Sequence, residues 1–286
     1  MSKAKIKLTK RIIALIVCVA FILALALTAF CLQIWFWAEQ SIKCWHPDYA
    51  KEDLSEVLEK QDLSKEDYGL LYRQTGLTKI GIDRALEYGS AGKQKILNIQ
   101  YDFFEPHEVK NGQVAPYTCT DYIDKHVEYV YLQDGDIVIT SSTHISGVRI
   151  GHAGLVTDGA IGQVLQANAY GSNSRLSGIS SYTDRVNFII LRPNPDFIDD
   201  ATVQKVVDYA KKNLVGIPYE GLAGLLTDKN AIASTQCAHI VWYAYKQFGI
   251  DLDSNGGQMV MPRDLANSGY LQVVQVFGLD PDKLWR

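Results

Sequence analysis

The sequence contains no internal repeat and no low-complexity tract, which excludes a solenoid or a fibrous protein. None of its 5 cysteines is paired with another at zinc-finger spacing, so we expect no metal site and no cofactor. An excess of basic residues is also missing, and the formal net charge of −4 gives no reason to expect nucleic acid as a partner. The length of 286 residues suits one globular domain with attachments.

The N-terminal segment lacks acidic residues and departs from this average composition. Five basic residues between Lys3 and Arg11 precede an uncharged apolar run from Ile12 to Trp37. A helix of that length spans roughly 39 Å, enough to cross a hydrocarbon core of about 30 Å, with an aromatic belt at Trp35–Trp37. We predict a basic cytoplasmic tail over residues 1–11, a single transmembrane anchor over 12–37, and the remainder outside the cytoplasm.

A cleaved signal peptide is the alternative for this segment. Ala24-Leu25-Ala26 resembles a cleavage site, but the apolar run continues beyond it and exceeds the usual apolar region of a signal peptide. A lipoprotein signal needs a small residue before its cysteine, whereas Cys31 follows Phe30. These observations favour an uncleaved anchor. Cys44 and Cys119 then lie outside, where a disulfide could form.

The remainder of the chain divides into two regions by its periodicity. The first, residues 38–112, is polar and predicts a helical spacer or cap, with helices at 49–60, 64–72, 78–88 and 93–104. From Val127 onward the period changes to two. Strands are predicted at 134–140, 151–157, 163–167, 186–192 and 271–277, with helices at 200–214 and 234–248. This order predicts an α+β domain over residues 113–286, in which an antiparallel sheet packs on helices.

The stretch from Ser234 to Phe248 is typical of an amphipathic helix, with Ser234 or Thr235 as N-cap and Gly249 after its end. Cys237 then lies in the first turn. Unpaired N–H groups and the positive end of the helix dipole lower the pKa of a thiol there. We therefore predict that Cys237 is a nucleophile; the alternative is a buried structural cysteine.

His152 is the candidate base for this thiol. It begins the predicted strand 151–157, directly before an Asp158-Gly159 hairpin turn. The returning strand brings Gln166 beside His152, where the amide oxygen could accept from one imidazole nitrogen and leave the other facing the sulfur. Because the register can shift by two residues, Gln163 and Asn168 stay open as alternatives.

Three further groups are candidates for the site: a backbone N–H, a tyrosine and a histidine. The N–H of Cys237 and the side chain of Tyr219 could donate to an oxyanion, although Tyr219 could equally be a core or pocket residue. His144 is predicted in a loop at the mouth of the cleft, either against substrate or in a structural role. His239 lies about 200° around the helix from Cys237 and is predicted to point away from the site.

These motifs resemble those of one family. The order Gly-Asp, His152-Ala-Gly-Leu-Val, Pro-Tyr219-Glu and Gln-Cys237-Ala-His-Ile-Val-Trp, followed by a segment beginning at Pro262, is similar to the permuted YiiX-like branch of the NlpC superfamily of papain-like cysteine hydrolases. Lecithin retinol acyltransferases are similar relatives. The resemblance covers roughly residues 128–277. It implies a circularly permuted papain-like fold with Cys237 as nucleophile, His152 as base and Gln166 as the orienting residue.

The sequence departs from the pattern of this family at two places. Ala238 and His239 follow the nucleophile where related sequences carry serine or threonine and then glutamate. The orienting position is glutamine where histidine or glutamate is common, and a neutral amide stabilises an imidazolium less than a carboxylate does.

The resulting functional hypothesis is a membrane-anchored, extracytoplasmic cysteine hydrolase. It would cleave amide bonds through an acyl-enzyme, with a cell-wall (peptidoglycan) peptide as substrate. One alternative is lipid or acyl-chain chemistry, as an amidase, esterase or acyltransferase. The other is a non-catalytic binding module at the cell surface.

Overall fold

The computed structural model describes residues 2–40, 42–116, 118–145 and 148–284; the side chains of residues 2–9 and 34–40 are outside this description. The chain divides into two compact units, Met1–Ile42 and Lys43–Arg286.

The first unit contains the helix α1 (Ser2–Gln40). Its segment Lys10–Gln33 is long and apolar enough to cross a membrane, and the side chains of this segment are exposed. The apolar run predicted from the sequence is therefore present as a helix of sufficient length to span a membrane. The predicted aromatic belt at Trp35–Trp37 lies outside the described side chains.

The second unit begins with the helices α2 (Ser55–Leu58), α3 (Lys65–Thr75), α4 (Lys79–Leu86) and α5 (Gly89–Phe104). The capping box predicted for α3 is present: the Ser64 side chain accepts from the Asp67 N–H, and the Asp67 side chain accepts from the Ser64 N–H. The predicted helix over 49–60 is reduced to the single turn of α2.

Strands and helices then alternate through the rest of the second unit. In chain order they are β1 (Lys110–Ala115), β2 (Thr118–Tyr122), β3 (Ile137–Thr140), β4 (Thr143–Ile145), β5 (Val148–Arg149), β6 (His152–Asp158), β7 (Gln163–Gln166), β8 (Arg175–Gly178), α6 (Ser180–Thr183), β9 (Phe188–Pro193), α7 (Asp200–Asn213), α8 (Cys237–Lys246), α9 (Pro262–Ala266), β10 (Leu271–Phe277) and a 3₁₀ turn (Pro281–Lys283).

The strands form two sheets in which neighbouring strands are antiparallel. The larger has the order β10-β9-β3-β6-β7-β8. The smaller has the order β1-β2-β4-β5. Helices α7 and α8 cover one face of the larger sheet, and their apolar stripes share a core with β3, β6 and β9 that includes the fully buried Trp242 and Tyr245. The central strand β6 thus lies directly beneath α8.

The predicted α+β class with antiparallel strands is confirmed, but the region before residue 113 is not a separate compact unit. Thr78 N–H donates to Val274 O at 3.0 Å, and Leu77 forms an isolated bridge with Gln275, so the N-terminal helices pack against β10. The smaller sheet was not predicted from the sequence. Its edge strand β1 is largely exposed and therefore lacks the buried alternation that marks a strand.

Candidate active site

Cys237 is the first residue of α8, at the position that the sequence predicts. The N-cap, however, is Gln236 and not Ser234 or Thr235. The Gln236 side-chain Oε1 accepts from the Ala238 N–H at 2.8 Å. The side chain that caps the helix is therefore also the one beside the sulfur.

Burial decides the protonation of Cys237, which is only 3% exposed. Loss of hydration raises the pKa of Cys237 to about 11, although the backbone N–H groups of Ala153, Ala238 and Cys237 itself act in the opposite direction. The sequence-based expectation of a lowered pKa is thus reversed, because desolvation outweighs the helix N-terminus. The thiol is protonated at neutral pH and donates to Gln236 Oε1 at 3.4 Å.

His152 and Gln166 meet across the β6–β7 hairpin. Leu155 pairs with Leu165, which places Gln166 diagonally opposite His152, and the His152 Nε2 and Gln166 Oε1 atoms lie 2.7 Å apart. Both residues are buried. The structure therefore brings together the two residues that the hairpin pattern placed side by side.

Two serines fix the orientation of the Gln166 amide. Each serine hydroxyl donates to a backbone carbonyl oxygen, at 3.4 Å for Ser177 and 3.0 Å for Ser181. Their free lone pairs accept from Gln166 Nε2, at 3.1 Å for Ser181. The amide oxygen must then face His152, so His152 Nε2 carries the proton and donates it. The imidazole keeps its lone pair on Nδ1, the acceptor that a nucleophilic thiol needs.

The imidazole of His152 is neutral at neutral pH. Burial lowers the pKa of His152 to about 4; Gln166 and Asn168 act to raise it, and the charge of Arg185 lowers it further. The ring of Tyr182 stacks on the imidazole with centroids 5.4 Å apart and an interplanar angle of 14°. The ring is therefore held on one face by Tyr182 and at Nε2 by Gln166.

Cys237 and His152 lie on packed neighbouring elements, and no hydrogen bond among those of the described residues joins their side chains. Ala153, the residue after His152, shares the core with Cys237, and its N–H favours the thiolate. Across the described residues, the hydrogen bond of the Cys237 thiol goes to Gln236 and not to the imidazole. The resting pair is thus a neutral thiol and a neutral imidazole on two elements, α8 and β6, that pack against each other.

Two cavities border this pair, and Tyr170 lines both. The first, here called the apolar pocket, has a volume of about 260 Å³ and is lined by Cys237 and mainly by apolar side chains: Ile145, Val148, Ile150, Tyr219, Leu222, Met259, Met261 and Pro262. The second, here called the polar cavity, has a volume of about 480 Å³ and is lined by His152, Gln166, several serines and threonines, and two arginines. The thiol therefore opens on an apolar space and the imidazole on a polar one.

The remaining predicted residues fall in different places. Tyr219 lines the apolar pocket, packs edge-on against Tyr170 with centroids 5.3 Å apart, and has a raised pKa because of its burial and the nearby Cys237. His144 is not in a loop at the mouth of the cleft. It lies buried on β4, with its Nε2 3.3 Å from Asp121 Oδ1 and 3.1 Å from Asn111 Nδ2. Its neighbours on β4 line the cavities, so strand alternation turns His144 away from them.

Gln163 and Asn168, the two alternatives to Gln166, differ in their position relative to His152. Gln163 Oε1 accepts from the Thr157 hydroxyl at 3.1 Å and makes no contact with His152 among the described hydrogen bonds. Asn168 lines the polar cavity and acts on the His152 pKa, while its buried Oδ1 has no hydrogen-bond partner in the described part of the chain. The 2.7 Å contact to the imidazole therefore comes from Gln166, and Asn168 acts less strongly on the pKa of His152.

His239 points away from the site, as its angular position on the helix predicts. Its Nδ1 lies 2.9 Å from Thr235 Oγ1 and its Nε2 2.8 Å from Lys229 O, so both ring nitrogens are satisfied. Sequence reasoning missed Tyr182 and Arg185, which approach His152 from the segment after β8. Neither residue belongs to a sequence motif, because only the folding of the chain brings it close to His152.

Comparison with known proteins returned no match: no protein-family model, no curated protein and no solved structure matches the chain.

Proposed function

We propose that the second unit is a cysteine-dependent acyl hydrolase or acyltransferase of the permuted papain-like kind. The observation that carries this proposal is the placement of the Cys237 thiol at a helix N-terminus and at the wall of an apolar pocket, beside an imidazole whose free nitrogen is an acceptor. The pair has the two functions that acyl transfer needs, a nucleophile and a base.

The proposed reaction begins with the neutral pair. The Cys237 sulfur turns from Gln236 toward His152, attacks the substrate carbonyl carbon, and gives its proton to His152 Nδ1. The bond from that carbon to the leaving nitrogen or oxygen then breaks, and His152 returns the proton to the leaving group. Water or a second acceptor, deprotonated by His152, attacks the thioester and regenerates the thiol. Gln166 holds the ring through both transfers, and the Cys237 N–H is a donor for the oxyanion.

The lining of the apolar pocket favours an acyl group as the part of the substrate next to the sulfur. Met259, Met261 and Leu222 offer dispersion and hydrophobic contacts and no charge. This favours the acyl-chain amide or ester alternative over the cell-wall peptide expected from the family resemblance. The helix α1 is compatible with action at a membrane, where such substrates are found.

A series of p-nitrophenyl esters tests the proposal. The full chain, in a non-ionic detergent, should hydrolyse butyryl, hexanoyl and octanoyl esters faster than the acetyl ester, because longer chains fill the apolar pocket. Cys237→Ala and His152→Ala should each abolish turnover, and the double variant should be scarcely worse than either single one. Cys119→Ala, at a half-buried cysteine on β2, is the matched control and should behave as wild type. Equal turnover by wild type and Cys237→Ala would rule out the thiol mechanism.

A further inference from the structure

The polar cavity beside His152 is strongly biased in charge. The residues that line it include Arg175 and Arg185, and no aspartate or glutamate is among the described lining residues. Ser177 and Ser181 line the same space. A cavity with two cations and no carboxylate has a positive potential that attracts anions.

Arg185 lines this cavity and has unused hydrogen-bonding capacity. Its side chain is 13% exposed; its Nε donates to Ser181 O at 2.8 Å, and its guanidinium lies 4.5 Å from the centroid of the Tyr122 ring. Its Nη1 is buried and has no hydrogen-bond partner within the described residues. A buried, unsatisfied donor on a charged group costs free energy that a ligand acceptor would recover.

The charge of Arg185 is also weakly compensated. Its ion pair with Asp184 is long, with 3.7 Å between Nε and Oδ1, and that carboxylate oxygen itself has no hydrogen-bond partner among the described residues. Arg175, exposed on β8 opposite Gln166, has no ion-pair partner in the described part of the chain. The guanidinium fork matches the oxygens of carboxylates and phosphates.

We propose that the polar cavity is an oxyanion-binding site in which Arg185, assisted by Arg175, binds a carboxylate or phosphate group. Combined with the proposed function, on which this second step rests, the site defines the substrate class. The acyl group lies in the apolar pocket beside Cys237, and an anionic leaving group lies in the polar cavity beside His152, the residue that protonates it.

Anion binding can be measured without any turnover. The melting temperature of the full chain in non-ionic detergent is followed while chloride is replaced by inorganic phosphate, or by acetate, at constant ionic strength. A ligand that binds the folded state raises the melting temperature with its concentration. We expect stabilisation of the wild type, and the stronger of the two ions identifies a phosphate or a carboxylate as the preferred group.

Matched variants locate the binding. Arg185→Gln should weaken the binding of the anion by about tenfold or more, the size expected for lost hydrogen bonds to a charged group. Arg73→Gln, at an exposed arginine on α3 that lines neither cavity, should bind as wild type. Should Arg185→Gln fail to fold, Arg175→Gln takes its place and should weaken binding severalfold. Equal stabilisation of wild type and these variants, or none by either ion, would overturn the proposed site.

The two proposals can fail separately. Cys237→Ala should keep the stabilisation by phosphate or acetate, because the sulfur does not line the polar cavity. Anion binding lost in Arg185→Gln, without any thiol-dependent turnover, would leave the anion site standing and remove the hydrolase. Thiol-dependent turnover of esters with anionic leaving groups that is unchanged in Arg185→Gln would leave the hydrolase standing and remove the anion site.

Discussion

The pH dependence of Cys237 alkylation tests the main electrostatic feature of the site. With a pKa of about 11, the thiolate fraction of Cys237 should rise roughly 300-fold between pH 7 and pH 9.5, whereas a thiol with the ordinary pKa of about 8.5 gains only roughly 30-fold before it levels off. The comparison uses one cysteine at two pH values. Limited access through the apolar pocket slows both rates alike and cancels from their ratio.

The assay is pulsed alkylation of the full chain with iodoacetamide, followed by mass spectrometry of the peptide that contains Cys237. The same cysteine in the urea-denatured chain is the control, since unfolding removes the burial that raises the pKa. His152→Gln should give nearly the same pH profile as wild type, because the resting thiol donates to Gln236 and not to the imidazole. A folded-state profile that levels off near pH 8.5 would show that the helix N-terminus balances burial, and would refute this description of the resting site.

The remaining predictions concern the imidazole, the packing beneath it and the topology. Gln166→Ala should lower turnover while the thiol still alkylates, and Gln166→Glu should keep activity; a fully active Gln166→Ala would assign the orienting role to another residue. The pKa of His152, about 4 when folded and about 6.5 when unfolded, means that its contribution to stability is present above pH 6.5 and is lost as the pH falls toward 4. Urea titrations should therefore show wild type losing about 2 kcal/mol between pH 7 and pH 5 relative to His152→Gln, and parallel losses would contradict the lowered pKa. Gly154→Ala places a Cβ 2.5 Å from Tyr182 Oη and should cost about 1–3 kcal/mol in the same titrations, while unchanged stability would argue against this packing. Protease added to intact cells should remove residues 43–286, and protection until permeabilisation would reverse the predicted orientation.

Features with a local cause could be predicted from the sequence. The apolar run of α1, the capping box of Ser64 and Asp67, and the position of Cys237 at a helix start each depend on residues within a few positions of one another. The contact between His152 and Gln166 is only slightly less local, because a short hairpin fixes which residues of its two strands lie side by side.

The features that the sequence did not predict depend on how separate strands and helices pack together in the fold. Ser177 and Ser181 orient Gln166 from β8 and α6, and Tyr182 covers the imidazole from the same segment. The register of β6 with β7 and of β7 with β8 creates these contacts. These contacts cannot be predicted from the spacing of residues in the sequence.

The sequence by itself determined most strands of the larger sheet and the two helices that cover it, because helix and strand patterns arise from neighbouring residues. The tertiary structure alone decided the protonation of the site and the character of its cavities. Cys237 sits at a helix N-terminus, which favours a thiolate, yet the core around it removes the water that a thiolate needs, and the pKa rises. Hydration is a property of everything packed around a group, so it is fixed only when the whole chain has folded.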